Sequence, residues 1–279
     1  MLKEVFAQNN IKSLKKLLDT YIDINDSEEI LRVGGKLIQS QDDEIDSQYI
    51  IKIFDMFYQI LKKSREEVRN LKELENMLSS LGKGNRRRLK YVQEYKEKYF
   101  GRLYNLLEKL CKDIDKARIL AGKRDKELEI FLQLNYADYK RYLCECTLDD
   151  KKLDLFIQET DIAYNDFITL CDKANVCLVS TSYMTGLYHY AIFQFEIKND
   201  WEGAIKYLNI QKSRFIDLLD TLFKNFTDSY EILNLINDTL TNWILLTNAQ
   251  KQKKELEEAE KERMAKETEK KTKEEGEKI

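Results

Sequence analysis

The sequence contains no proline, nine glycines and a single histidine among its 279 residues. Without proline, and with so little glycine, it lacks the punctuation of a turn-rich β protein. One histidine leaves no second imidazole for a zinc site of the HExxH kind, and neither a glycine-rich phosphate loop nor a nucleophile elbow occurs. No catalytic residue, cofactor or metal site is therefore expected, and the chain does not read as an enzyme. The five cysteines (Cys111, Cys144, Cys146, Cys171 and Cys177) are odd in number and lack paired zinc-type spacing, which points to free thiols in a reducing compartment. No apolar run reaches membrane length and the opening MLKEVFAQNN has no signal-peptide core, so the expectation is a cytoplasmic protein without membrane insertion. A net charge of −3 gives no overall basic field. Arg86-Arg87-Arg88 reads as a solvated helix start, and no nucleic-acid partner is expected.

What is present is charge interleaved with apolar residues, 35% and 43% of the chain. That mixture, in a chain long enough to bury a sizeable core, describes long amphipathic helices. Leu103, Leu106, Leu107, Leu110 and Cys111 form one such stripe at i, i+3, i+4, i+7 and i+8. Punctuation by caps and the rare glycines predicts nine helices: 2–20, about 27–40, 48–79, 87–121, one opening at Lys123-Arg124-Asp125, one ending near Ala174, one from Ser180-Thr181-Ser182 to about Lys198, one from Asn199-Asp200 to about Phe223, and one from Asp228 through Trp243. Asp26-Ser27, Asp46-Ser47 and Asp149-Asp150 serve as caps, and Ser80-Leu81-Gly82-Lys83-Gly84-Asn85 breaks the third helix from the fourth. Short loops make the arrangement all-α and antiparallel. No repeat of the 34-residue kind recurs. From about residue 250 apolar residues become few while acidic and basic residues balance, so residues 1–249 form the helical domain and 250–279 a charged tail, either a helical extension or disordered.

The fifth helix carries an unusual face. Asp138, Arg141, Tyr142 and Glu145 fall at i, i+3, i+4 and i+7, so a guanidinium, a phenol and two carboxylates line up. Arginine and tyrosine bind anions while acids hold the arginine in place; the ordinary alternative is a solvated face of weak intrahelical ion pairs.

The stretch 226–243, FTDSYEILNLINDTLTNW, resembles the last core helix of the 14-3-3 proteins, whose pattern is close to YKDSTLIMQLLRDNLTLW. Leu219-Asp220-Thr221-Leu222 is similar to the family's LDTL, Phe195-Glu196-Ile197 to its YEI, and Asp138 through Glu145 (DYKRYLCE) to its DYYRYLAE. Order and spacing agree over about residues 15–243. The resemblance implies a cup-shaped superhelix of nine antiparallel helices that dimerises and binds phosphoserine or phosphothreonine peptides through an arginine cluster.

Carried over by residue, the resemblance puts Arg65, Arg141 and Tyr142 at the phosphate. The family's third-helix lysine falls on Tyr58, which has no charge; Lys62, one turn on and sharing a face with Arg65, is the candidate replacement. Arg69 stands at the rim, and Leu134 replaces a family lysine. Of the two peptide-reading asparagines, one falls on His189 and the other on Thr239. His189 reads equally as a core residue between Tyr188 and Tyr190. Leu235 and Ile232 imply an apolar groove wall, Asp238 adjoins Thr239, and Asn242 stands where the family has leucine. Glu196 is expected to orient Arg141, with Trp243 packed beneath. Expected partners are phosphorylated proteins or peptides and a second 14-3-3 subunit, as homodimer or heterodimer. Tyr95 and Lys98 match interface positions, while Arg102 replaces an acid. An alternative keeps the fold and binds unphosphorylated or acidic partners, or closes the groove with a tail bearing Thr268 and Thr272.

Overall fold

A computed structural model of the chain describes residues 11–23, 25–40, 47–122, 125–222 and 227–276. These residues form nine α-helices and one 3₁₀ turn, with no strand among them: α1 (Ile11–Asp23), α2 (Ser27–Ser40), α3 (Ser47–Ser80), the turn Lys83–Asn85, α4 (Arg86–Ala121), α5 (Lys126–Cys146), α6 (Asp150–Lys173), α7 (Thr181–Glu196), α8 (Trp201–Leu222) and α9 (Thr227–Gly276). The expected order is observed. Residues 2–10, 46 and 123–124 lie outside the described residues, so the start of the first helix and the caps read at 46 and 123–124 are not part of this description.

Helix starts follow the expected side-chain caps. Asp26 Oδ1 accepts from Glu29 N, Asp125 Oδ1 from Leu128 N, Asp149 Oδ1 from Lys151 N and Lys152 N, Ser180 Oγ from Tyr183 N, and Asp200 Oδ1 from Gly203 N. Each satisfies a backbone donor that the helix itself leaves unpaired. Helix ends use a different residue from the one that usually does this work. With no proline and few glycines, the chain turns after α1, α6 and α7 at asparagines in the left-handed region: Asn25 (φ 54°), Asn175 (φ 52°) and Asn199 (φ 55°). Asparagine is the non-glycine residue that tolerates this conformation at least cost.

The chain divides into two compact units, residues up to Cys177 and residues from Leu178. In the first, α5 is surrounded by α3, α4 and α6. Its burial extends to polar residues, including Gln133, Asp138, Arg141 and Glu145. Gln133 shows the consequence: its amide donates to Ala163 O (2.8 Å) and accepts from Arg118 Nη1 (2.8 Å), because a buried amide left unpaired is costly. The α4 stripe behaves as predicted, with Leu103, Leu107, Leu110 and Cys111 buried. Gly34 lets α2 approach α3, since a Cβ there would come within 2.6 Å of the Phe57 ring.

In the second unit α9 packs on α7 and α8. Ser229 Oγ donates to Val179 O (2.6 Å), fixing the start of α9, and the buried Trp243 stacks on Phe195 with ring centroids 4.1 Å apart. Beyond Trp243 α9 continues as helix to Gly276, 50 residues in all. No glycine or proline interrupts that stretch before Gly276, and pairs such as Lys253–Glu257 (3.8 Å) follow the i, i+4 rule. Among the described residues no helix is long and apolar enough to cross a membrane.

Candidate functional site: an arginine pair on one tyrosine

The first unit builds its site where α3 and α5 meet. Arg65, on α3, forms a two-pronged bond to Glu145 on α5: Nε donates to Oε2 at 2.9 Å and Nη2 to Oε1 at 2.6 Å. Arg141 is 3% exposed; its Nε donates to Tyr164 OH (3.2 Å), and its other nitrogens lie 3.6 Å from Asp138 Oδ1 and 3.9 Å from Glu145 Oε1. Tyr164, brought in by α6, donates in turn to Asp138 Oδ1 (2.6 Å). Both guanidiniums stand over the Tyr142 ring, at 4.0 Å for Arg65 and 5.0 Å for Arg141. The ring's negative face offsets part of the repulsion between them.

The helix face read at Asp138, Arg141, Tyr142 and Glu145 is therefore buried, not solvated. Asp138 and Glu145 lie against the arginines, and the Tyr142 ring packs against both guanidiniums. Burial is the largest influence on Glu145 and pushes its carboxyl up, but the Arg65 hydrogen bond and the charges of Arg65, Arg141 and Arg69 outweigh it and hold the group below its usual value. Glu145 stays ionised at neutral pH. Burial raises the Tyr142 phenol, which stays protonated and able to donate.

Two participants were missing from the sequence reading. Tyr164 is one. Lys72 is the other: its Nζ donates to the backbone carbonyl of Glu145 (2.7 Å), closing the C-terminal end of α5 beside the arginines. Counting Arg65, Arg141 and Lys72 against Asp138 and Glu145, the cluster keeps a positive excess. No signal within α5 could have announced residues that arrive from other helices. Along α3, however, Tyr58, Lys62, Arg65, Arg69 and Lys72 recur at helical spacing on one stripe. Tyr58 and Lys62 are exposed at its N-terminal end, outside the bonded cluster. Leu134 is buried in the core.

The second unit holds the remaining expected residues. On α9, Ile232, Leu235, Thr239 and Asn242 share a face; Ile232 and Thr239 are half-buried, while Leu235, Asp238 and Asn242 are exposed. On α7, His189 is half-buried with its ring 5.9 Å from that of Tyr188, and Glu196 is exposed at the helix end. Arg141 finds its bonded partners Tyr164, Asp138 and Glu145 within its own unit. A contact not anticipated joins α7 to α9: Tyr188 OH and Thr239 Oγ1 are 2.9 Å apart.

An all-helical chain with one buried and one half-buried arginine clamped by acids on one tyrosine has the makings of an anion-binding helical scaffold. The sequence profile described as "14-3-3 protein" matches residues 18–244, and the chain belongs to the 14-3-3 family. Among similar proteins, the 14-3-3 family protein artA of Aspergillus flavus is 25% identical over 170 residues, 58% of this chain and 67% of the relative. The 14-3-3 protein 3 of Entamoeba histolytica is 25% identical over 168 residues, 58% and 66% of the two chains. The 14-3-3-like protein B of Nicotiana tabacum is 30% identical over 167 residues, 58% and 62% of the two chains. The chain thus spans about two thirds of the length of these relatives.

Proposed function

We propose that this chain is a non-enzymatic adaptor that binds phosphoserine or phosphothreonine peptides, taking the phosphate at Arg65, Arg141 and Tyr142. The observation that carries the reading is the pair of guanidiniums held over a single tyrosine with an excess of positive charge. A phosphate at neutral pH brings nearly two negative charges and three acceptor oxygens. Arg65 commits Nε and one Nη2 proton to Glu145; a guanidinium has five N–H donors, so its fork retains others for an incoming oxygen. Because the acids already hold the arginines, little side-chain ordering is left to be done on binding. Membership of a family whose relatives carry 14-3-3 names supports the same reading.

The finer part of the proposal is that this phosphate site is altered. Tyr58 has no charge, and Lys62, exposed on the same α3 stripe, takes the role of third cation. His189, Glu196, Ile232, Leu235, Asp238, Thr239 and Asn242 contact the remainder of the peptide. The adaptor acts as a homodimer or as a heterodimer with another 14-3-3 subunit; exposed Tyr91 and Tyr95 on α4 suit such a contact.

Fluorescence anisotropy on one peptide in phosphorylated and unphosphorylated form tests the reading. Strong preference for the phosphorylated form, reduced in Arg141→Lys, is expected. Equal affinity for the two forms would leave a 14-3-3-fold scaffold for unphosphorylated or acidic partners.

A further inference from the structure

Threonine inside a helix commonly turns its hydroxyl back to the carbonyl four residues earlier. Thr20, Thr160, Thr221, Thr241 and Thr247 all do so here, at 2.6 to 2.9 Å. Thr239 does not. Its hydroxyl engages the Tyr188 phenol on the neighbouring helix at 2.9 Å. The distance leaves either hydroxyl free to donate; the phenol is the stronger acid, which favours Tyr188 O–H as donor and Thr239 Oγ1 as acceptor. The Thr239 proton then remains for a third group, and accepting from Tyr188 polarises it toward stronger donation.

The surroundings indicate what that third group is. Thr239 is half-buried, with exposed Leu235, Asp238 and Asn242 around it on α9. A half-buried donor on a rim that offers an apolar side chain suits the carbonyl of an extended peptide, whose side chains lie on either side of its main chain. A carboxamide could donate there unaided. A threonine has one proton, which its own helix would ordinarily claim.

We propose that Tyr188 is a positioning residue of the peptide site: it turns the Thr239 hydroxyl out of its own helix and sets it to donate to a main-chain carbonyl of the bound peptide. This rests on the peptide-binding reading above and assigns within it a residue that the sequence comparison did not.

The test uses the full chain and a fluorescein-labelled phosphoserine peptide, the tightest binder drawn from a degenerate library, together with its unphosphorylated copy. Affinities are measured for wild type, Tyr188→Phe, Thr239→Val, the combination of the two, and Tyr188→Phe with Thr239→Asn. Each single variant should weaken binding about three- to tenfold, the range of one neutral hydrogen bond. The Phe/Val combination should be no weaker than Thr239→Val alone, because both remove the same donor. Asparagine brings its own N–H, so the Phe/Asn combination should return to within about twofold of wild type, without recovering whatever melting temperature Tyr188→Phe loses. That split separates a peptide contact from a packing effect. The assignment is overturned if Tyr188→Phe binds like wild type, if the two single losses multiply, or if asparagine fails to restore affinity. Wild type binding both peptides equally sinks phosphate recognition alone, and the variants still decide Tyr188 against that peptide. Wild type binding neither sinks both.

Discussion

Two ion pairs of identical length lie in the two units of this protein. Arg65–Glu145 in the first unit and Lys251–Glu202 in the second both close at 2.6 Å. The first pair's side chains are 18% and 9% exposed, the second pair's 58% and 75%. Distance alone therefore says little about what an ion pair does. The first pair is largely withdrawn from water, so each charge depends on the other and on the Tyr142, Tyr164, Asp138 and Lys72 network around it. The exposed pair exchanges with water at small cost. The contrast extends to side-chain chemistry: the first unit gathers charge around Tyr142, while the second presents short neutral contacts such as Tyr188–Thr239.

Removing Glu145 should be the most damaging change. In Glu145→Ala the two guanidiniums face each other without their shared acid, and breaking a buried pair in this way costs about 3–5 kcal/mol. Urea denaturation of the variant beside wild type measures it; a loss below about 1 kcal/mol, the range of surface pairs, would dissolve the contrast between the units. Acid should expose the same dependence. The folded Glu145 carboxyl lies below its ordinary 4.5, so it binds protons less readily folded than unfolded. Its stabilisation is therefore complete above the unfolded value and fades as pH falls through the lower folded one. Glu145→Gln should lose less stability than wild type between pH 5 and 3, and parallel acid-unfolding curves would show that Glu145 is not the responsible group.

These expectations draw on parts of the molecule that differ in how plainly the sequence announces them. Helix order follows from apolar stripes such as Leu103–Leu107–Leu110, whose period is local and whose burial is observed. The core of the site was equally local, because Asp138, Arg141, Tyr142 and Glu145 share one helix face. Lys72 and Tyr164 were not visible: they meet that face from 73 and 26 residues away in sequence, and only packing brings them there. Tyr188 escaped for a related reason, since a tyrosine on α7 acquires meaning only when Thr239 of α9 is seen beside it. The state of the tail beyond α9's apolar part stayed open between helix and disorder in the sequence because its charged extension has no apolar face to mark a period; regular i, i+4 charge spacing was the available clue.

Lys62 tests the boundary of the first unit's cluster at an intermediate size. It is exposed on the stripe that carries Arg65 but lies outside the bonded network. Lys62→Ala should therefore leave stability unchanged and weaken phosphopeptide binding several-fold, about the effect of one charged hydrogen bond discounted for solvent. Raising the salt concentration should shrink the difference between variant and wild type. If Lys62→Ala binds like wild type while Arg65→Ala abolishes binding, the arginines act without a third cation from that position.

The smallest effect should come from the exposed pair. Lys251→Ala removes a 2.6 Å contact that ties the extension of α9 to the first turn of α8, and the neighbouring ammonium holds the Glu202 carboxyl below its usual value. Both groups are nevertheless open to water, which replaces either partner when the other is lost. Lys251→Ala should melt at the wild-type temperature, and adding salt should not change that result. A clear drop in melting temperature would mean that the extension of α9 contributes to the stability of the second unit through this contact, and that exposure is not what separates the two ion pairs.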